Sequence, residues 1–229
     1  MSDVLIEYVS LVLERIKTKR DVKSKFGNKF DINQFKKLDN INVMLEYASM
    51  FLDELGRGTS RAAFTLSGKY VLKIALNEKG IAQNETEVQI SNNGATKDIV
   101  TKIYGAGPNK EWLISDIVKE LSSSKEFESL TGAGWTDFRI GLRALLLKKD
   151  VKDFKDLDAQ TQQFCKKIAA AARKTDLLYG DIVQLDHWGK TPDSRLVLLD
   201  YGFTEGVWEK HYKKPNPEIA PEEDSTRKD

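Results

Sequence analysis

The sequence predicts an α+β fold with two lobes, on the strength of the order of its elements. Amphipathic helical patterns fill the first part of the chain, a strand-rich block enclosing one helical pattern follows, and helical patterns with a loop and a strand come last. Segregated blocks of this kind are typical of α+β proteins. The predicted domains are a helical extension at 1–54, a β-rich lobe at 55–118, a helical lobe at 119–208 and a disordered tail at 209–229.

The helical extension is predicted from apolar spacing and from capping residues. Apolar side chains between Leu5 and Ile16 recur at helical spacing. A short helix is expected after Asp31, which is a good N-cap, and a longer one at 40–53. We expect these helices to pack behind the β-rich lobe, with partner binding as the alternative.

The two lobes are predicted from alternating apolar runs, glycine turns and longer helical patterns. In chain order the expected elements are strands at 62–66 and 70–76, a helix at 80–90, strands at 100–104 and 111–118, helices at 137–149 and 158–178, a loop at 181–188 and a strand at 195–201.

Composition excludes several functional classes. The 229 residues carry a net charge of +1, from 36 basic and 35 acidic side chains, which argues against a globally basic nucleic-acid binder. No apolar run approaches the roughly 20 residues that span a bilayer, and no signal-peptide pattern opens the sequence. We therefore expect a cytoplasmic protein without membrane contact. A single cysteine and two histidines leave carboxylates as the metal ligands, which favours magnesium or manganese.

Two features of the β-rich block predict an anion site. Gly56 and Gly58 lie between strands, where glycine lets backbone N–H groups approach an anion, although an ordinary turn is the alternative. Lys73 lies inside an apolar strand and, if buried, needs a phosphate or a carboxylate; a solvent-facing lysine is the alternative. Glu87 on the next helix is a candidate partner for Lys73, with Glu85 in competition and a solvated acidic face as the alternative.

Three aspartates in the helical block predict a second cluster. Asp181 and Asp186 lie in the predicted loop, and Asp200 follows an apolar run. Carboxylates at a strand end are common magnesium ligands. For each aspartate alone, a turn or cap is the alternative.

In this order the residues resemble the motifs of the protein-kinase-like fold, which includes antibiotic and choline kinases and the short kinases of some bacteriophages. The resemblance covers residues 55–206. The matching positions are Gly56 and Gly58 in the glycine loop, Lys73 as the strand lysine, Glu87 as the helix glutamate, Asp181 as the catalytic-loop aspartate, Asp186 in place of the metal-binding asparagine, and Asp200-Tyr201-Gly202 as the Asp-Phe-Gly motif.

The resemblance implies a two-lobed kinase that transfers the γ-phosphoryl group of ATP to a hydroxyl. It implies that Asp181 and Lys73 are catalytic and that Asp186 and Asp200 hold Mg²⁺ or Mn²⁺. The implied ATP-binding residues are Gly56, Gly58, Thr59, Ser60, Lys73, Glu87 and the backbone of Asp116 and Val118.

Departures from the family pattern keep other functions open. Arg61 stands where a third glycine is common, Asp186 replaces asparagine, and 27 residues follow Gly202, so we expect the helical lobe to be reduced and to lack a peptide-docking half. We expect a protein acceptor with a serine- or threonine-type hydroxyl, in the host cytoplasm if the source is a bacteriophage. The alternatives are a pseudokinase or ATP-binding interaction module, an antibiotic-type small-molecule kinase, and a structural α+β protein.

Overall fold

The structure is a computed structural model, and it describes residues 29–213. The helix expected between Leu5 and Ile16, and the disorder expected beyond residue 213, lie outside the described residues.

The described elements alternate along the chain as follows. The helices are α1 (Ile32–Phe35), α2 (Ile41–Phe51), α3 (Glu78–Ser91), α4 (Ser124–Thr131), α5 (Trp135–Leu147), α6 (Val151–Asp156), α7 (Ala159–Thr175), α8 (Tyr179–Ile182) and α9 (Glu205–His211). The strands are β1 (Glu54–Arg57), β2 (Arg61–Ser67), β3 (Tyr70–Ala75), β4 (Ile103–Ala106), β5 (Trp112–Asp116), β6 (Lys119–Glu120), β7 (Trp188–Lys190) and β8 (Leu196–Leu198). A 3-10 turn occupies Leu185–His187.

The β-rich part is an antiparallel sheet of five strands in the order β1-β2-β3-β5-β4. Its centre is β3, where Lys73 lies opposite Ala63 of β2 and Leu113 of β5. Helix α3 connects β3 to β4. Together with the mainly helical part that follows residue 120, this arrangement confirms the predicted α+β class with a β-rich and a helical lobe.

The first two helices pack against the sheet. Phe35 and Tyr47, both fully buried, share one apolar cluster with Phe64, Leu72 and further side chains of the strands. Asp31 and Asn40 cap α1 and α2 by accepting backbone N–H groups, as the sequence predicts for Asp31. The helices at 32–51 therefore pack behind the β-rich lobe.

A second core holds the helical part together. Helices α5 and α7 pack on each other, with Phe138 and Cys165 fully buried between them. The indole of Trp188 is also fully buried, and its Nε1 donates to the Ile182 carbonyl oxygen at 2.8 Å. This bond fixes the start of the β7–β8 hairpin beside α8, at the edge of the candidate site.

Several element boundaries differ from the sequence predictions. The strand expected at 100–104 begins only at Ile103, because the buried residues Val100 and Thr101 connect the two lobes instead. Val100 forms a parallel bridge to Leu198, and the Thr101 N–H donates to the Leu198 carbonyl oxygen at 3.0 Å. The loop expected at 181–188 contains α8 and the 3-10 turn. Helix α9 runs to His211, so the predicted tail boundary at 209 falls inside a helix.

Within residues 29–213, no helix combines the length and the apolar character needed to cross a bilayer. A cytoplasmic location and a bacteriophage source stay predictions from the sequence.

Candidate active site

The β3 lysine has a complete set of partners. Lys73 Nζ lies 2.9 and 3.0 Å from the two carboxylate oxygens of Glu87 and 2.8 Å from the Leu199 carbonyl oxygen. An ammonium group has three N–H donors, so these contacts use all of them. The lysine is not the solvent-facing side chain of the alternative interpretation, since its side chain is only 14% exposed.

Helix α3 delivers Glu87 to this lysine. Asn77 caps the helix by accepting the N–H groups of Lys79 and Gly80, and a Cβ on Gly80 would lie only 2.0 Å from the Ser60 carbonyl oxygen. This close approach brings the helix against the start of β2. Glu87 is fully buried, whereas the competing candidate Glu85 is exposed. The structure therefore pairs Lys73 with Glu87.

Arg61 joins the buried pair to Asp200. Its Nη1 donates to Glu87 Oε1 at 2.6 Å, and its Nη2 donates to Asp200 Oδ1. Burial disfavours the charged carboxylate, but the positive charges of Arg61 and Lys73 outweigh it and hold the pKa of Asp200 well below its usual range. Two cations and two carboxylates thus form one neutral network between the sheet, α3 and the segment after β8.

A cavity of about 490 Å³ opens beside this network. Asp181, from α8, and His187 share its lining with Lys73, Arg61 and Asp200. Burial raises the pKa of Asp181 to about 6; the His187 charge opposes this shift, and the Asp200 carboxylate adds to it. Asp181 is the carboxyl of this cavity whose protonation changes near neutral pH.

The glycine loop forms the roof of the cavity between β1 and β2. The Gly58 N–H donates to the Arg61 carbonyl oxygen at 2.9 Å, and a Cβ on Gly56 would meet nothing within 4 Å. The open space at Gly56 leaves its backbone accessible to a bound group. Thr59 and Ser60 tie the loop to α3: the Thr59 carbonyl accepts from Asn77 Nδ2 at 2.9 Å, and the Ser60 hydroxyl donates to Gln83 Oε1 at 2.8 Å.

A second cavity of about 460 Å³ continues from the first toward the β5–β6 connection. Its lining is apolar at Leu55, Ala63, Val71 and Leu199, and it includes Asp116 and Val118. Leu55 is 54% exposed, which leaves an apolar surface open above this space. The two cavities share Lys73 and Leu199, so a planar apolar group in one and an anionic group in the other would lie side by side.

Asp116 and Val118, the two residues predicted to bind adenine through their backbone, differ in whether the N–H group is already hydrogen-bonded. The Asp116 N–H is used by the Lys102 carbonyl oxygen at 3.1 Å, and the Ile117 N–H by the Lys69 carbonyl oxygen at 2.9 Å. The Val118 N–H has no hydrogen-bond acceptor among residues 29–213. Val118 is therefore the better-placed backbone donor for a base in the second cavity.

The carboxylates do not form the metal site that the family resemblance implies. Asp200 lines the first cavity but is bonded to Arg61, whereas Asp186 is an exposed residue of the 3-10 turn and is outside the cavity lining. In the part of the chain that the structure describes, no three side chains of the His, Cys, Asp and Glu types come together as metal ligands. The residues present at Asp200 fit a guanidinium partner rather than a two-carboxylate magnesium site.

Sequence reasoning assigned no role to several residues that line the first cavity. These are His187, Gln83, Glu120, Phe203 and Tyr212. His187 adjoins Asp186 in the chain, and its buried Nδ1 has no hydrogen-bond partner among the described residues. The rings of Phe203 and Tyr212 pack edge to face at 4.9 Å, and Gln83 Nε2 donates to the Tyr212 hydroxyl at 3.2 Å. These two aromatic residues flank α9, which carries no recognisable motif.

No protein-family model matches the sequence, and no curated protein sequence matches it. Solved structures that match this chain include APH(2")-IIia in complex with GDP and kanamycin, at 13% identity over 67% of this chain and 67% of that chain, with a TM-score of 0.37. The GDP complex of wild-type aminoglycoside 2'-phosphotransferase-IIIa matches at 14% identity over 70% of each chain, with a TM-score of 0.35. SAICAR synthase from Saccharomyces cerevisiae, complexed with SAICAR, matches at 12% identity over 72% of this chain and 74% of that chain, with a TM-score of 0.35.

Because these TM-scores lie below 0.5, the matches establish neither the fold nor a reaction or substrate for this chain. The fold itself has the arrangement that the resemblance predicts: a five-stranded antiparallel sheet, a helix that pairs its glutamate with the β3 lysine, and a helical lobe that brings two aspartates to the same cavity. The chain has a two-lobed α+β fold.

Proposed function

We propose that this protein is an ATP-dependent phosphotransferase that transfers the γ-phosphoryl group to a hydroxyl of a small molecule. The observation that carries the proposal is the single cavity lined by Asp181, Asp200 and Lys73, the lysine being paired with buried Glu87. Phosphoryl transfer needs mainly positioning and charge stabilisation, and the lining of this cavity supplies cationic groups and a titratable carboxyl.

The two connected cavities suit the two halves of a nucleotide. The adenine would lie in the apolar cavity, between Leu55 and Leu199 and beside the Val118 N–H. The phosphates would then reach Arg61, close to the positive charge of Lys73, under the Gly56 backbone. Thr59 and Ser60 would act by holding the loop against α3, since their hydrogen bonds go to that helix.

Asp181 is proposed as the general base. A carboxyl with a pKa of about 6 is deprotonated at neutral pH and accepts a proton from an acceptor hydroxyl more readily than an ordinary aspartate. Its position in the lining, beside Asp200 and His187, puts the acceptor oxygen near the cationic groups that hold the phosphates. Activity should therefore rise with pH through about 6.

A compact acceptor is favoured by an aromatic wall of the first cavity, made by Phe203 and Tyr212. Both residues line the cavity together with Asp181, and Gln83 Nε2 donates to the Tyr212 hydroxyl. An acceptor group bound between this wall and Asp181 would share the cavity of about 490 Å³ with the phosphates. That space suits a small hydroxyl compound better than a folded protein surface, so the protein acceptor expected from the sequence becomes the second choice.

A nucleotide-binding module without transfer is the competing function, and the Arg61–Asp200 bond favours it. The bond occupies one oxygen of the carboxylate that a kinase uses for its metal. Turnover, measured against binding, separates the two functions.

The test combines ATP binding with ATP turnover. ATP is expected to raise the melting temperature of the wild-type protein and of Asp181→Asn, because Asp181 is proposed to act on the acceptor and not on the nucleotide. Phosphate transfer from labelled ATP is then followed with pooled small hydroxyl compounds and, separately, with a serine- and threonine-containing peptide pool.

Transfer to small molecules that is lost in Asp181→Asn, and kept in the exposed control Asp153→Asn, would support the proposal. Binding without transfer to either pool would leave the module interpretation. Undiminished transfer by Asp181→Asn would contradict the role given to Asp181, and transfer to peptides alone would contradict the small acceptor.

A further inference from the structure

We infer that Arg61 is the cation that receives the nucleotide phosphates and that it takes the place of a divalent metal at Asp200, so that ATP binds this chain without Mg²⁺. The inference rests on the proposed nucleotide site. It concerns which group neutralises the phosphates there, and it departs from the metal site that the family resemblance implies.

Arg61 is held in the cavity by contacts on both sides. It is the first residue of β2, and its side chain is only 10% exposed. Nη1 donates to Glu87 Oε1 at 2.6 Å and to Asn84 Oδ1 at 3.4 Å, while Nη2 donates to Asp200. The guanidinium is thus fixed by α3 on one side and by the segment after β8 on the other.

Among residues 29–213, the N–H groups that stay available for a phosphate belong to Arg61 and not to Lys73. Lys73 uses its three N–H groups on Glu87 and the Leu199 carbonyl oxygen. A guanidinium has five N–H groups, of which Glu87, Asn84 and Asp200 take three within residues 29–213. The remaining two lie on a planar group that lines the cavity, and a fork of this kind matches the oxygens of a phosphate.

The charges at Asp200 also favour the guanidinium over a metal. A divalent cation at the Asp200 carboxylate would lie next to the positive charge of Arg61. Moving Arg61 away from that cation would break the bond between Arg61 and Asp200. Asp186, the second ligand that the family pattern would supply, is outside the cavity lining. The buried carboxylate of Glu87 further opposes withdrawal of Arg61, because the guanidinium also satisfies that group.

Equilibrium binding of ATP, measured by calorimetry in excess Mg²⁺ and again in EDTA, tests the inference. The wild-type protein is expected to bind ATP in EDTA within about threefold of its affinity in Mg²⁺. Arg61→Ala is expected to lose at least about tenfold in EDTA, because a charge-assisted bond to a phosphate disappears. Because Asp200 has no guanidinium partner in Arg61→Ala, its carboxylate can take Mg²⁺, and excess Mg²⁺ is expected to recover part of the lost ATP affinity.

Arg57→Ala is the matched control, since Arg57 lies in the same loop, is 42% exposed and pairs with Glu54. Its affinity is expected to equal that of the wild type in both buffers. Arg61→Lys serves if Arg61→Ala fails to fold, because lysine keeps the charge but cannot reproduce the fork between Glu87 and Asp200. It is also expected to weaken binding in EDTA.

The outcomes separate this inference from the proposed function. ATP binding that needs Mg²⁺, or equal binding by the wild type and both Arg61 variants in EDTA, overturns the role of Arg61 and leaves the nucleotide site standing. No ATP binding in either buffer overturns both.

Discussion

Replacing Glu87 by glutamine should be among the most damaging conservative changes in this protein. The carboxylate is fully buried and accepts from two cations: Arg61 at 2.6 Å, and Lys73 at 2.9 and 3.0 Å. Glutamine keeps the shape of the side chain but removes its charge. The amide nitrogen of glutamine is a donor and would face the N–H donors of Lys73 or Arg61. The two largely buried cations would then have Asp200 as their nearest described ion-pair partner.

The size of the effect follows from the burial of the three side chains. Lys73 and Arg61 are 14% and 10% exposed, so solvent screens their charges poorly. Removing one partner of a buried ion pair destabilises a protein by about 3–5 kcal/mol. For a chain of this size, each kcal/mol lowers the melting temperature by roughly 2–4 °C, so we expect a loss of about 6–20 °C.

Thermal and urea unfolding of purified protein measure this loss. Glu85→Gln is the matched control, because Glu85 lies two residues earlier on the same helix and is exposed. Its effect should stay within about 0.5 kcal/mol. If Glu87→Gln unfolds at the same temperature and urea concentration as Glu85→Gln, the buried network does not hold α3 to the sheet as described.

Three further predictions concern stability. Burial holds the folded pKa of Asp181 at about 6, above its value near 3.9 in an unfolded chain, so ionisation of Asp181 opposes folding at neutral pH. Asp181→Asn should therefore raise the melting temperature at pH 7.5. That gain should vanish below about pH 4, where the carboxyl is protonated in both the folded and the unfolded state. Gly80→Ala should destabilise by at least about 1–3 kcal/mol because the new Cβ would lie 2.0 Å from a backbone oxygen, whereas Gly206→Ala, with nothing within 4 Å, should stabilise its helix by roughly 0.5–1 kcal/mol in urea unfolding. Phe35→Ala should lower the free energy of unfolding by about 3–5 kcal/mol, against less than about 1 kcal/mol for Val43→Ala on the exposed side of the next helix; equal effects would mean that the helices at 32–51 do not stabilise the sheet.

Features defined by local pattern could be predicted from the sequence. The apolar run around Lys73 identifies β3, and capping by Asp31 marks the start of α1. The order of Lys73, Glu87, Asp181 and Asp200 predicts that these four residues meet, and the structure brings them to one place. Their roles in binding and catalysis stay predictions.

Features that depend on distant contacts could not be predicted in the same way. The sequence marks Arg61 only as a departure from the glycine pattern, since its two carboxylate partners lie 26 and 139 residues further along the chain. The apolar pattern at Val100 predicts a strand, because burial between the lobes produces the same apolar signal as a strand. The wall made by Phe203 and Tyr212 depends on how α9 packs against α3, which no spacing in the sequence encodes.

The most direct test of a nucleotide site in this cleft is a crystal structure of the protein with a non-hydrolysable ATP analogue. The prediction is a base between Leu55 and Leu199 beside the Val118 N–H, with the phosphates within hydrogen-bond distance of Arg61 under the glycine loop. An analogue bound elsewhere, or an empty cleft at saturating analogue, would contradict the account.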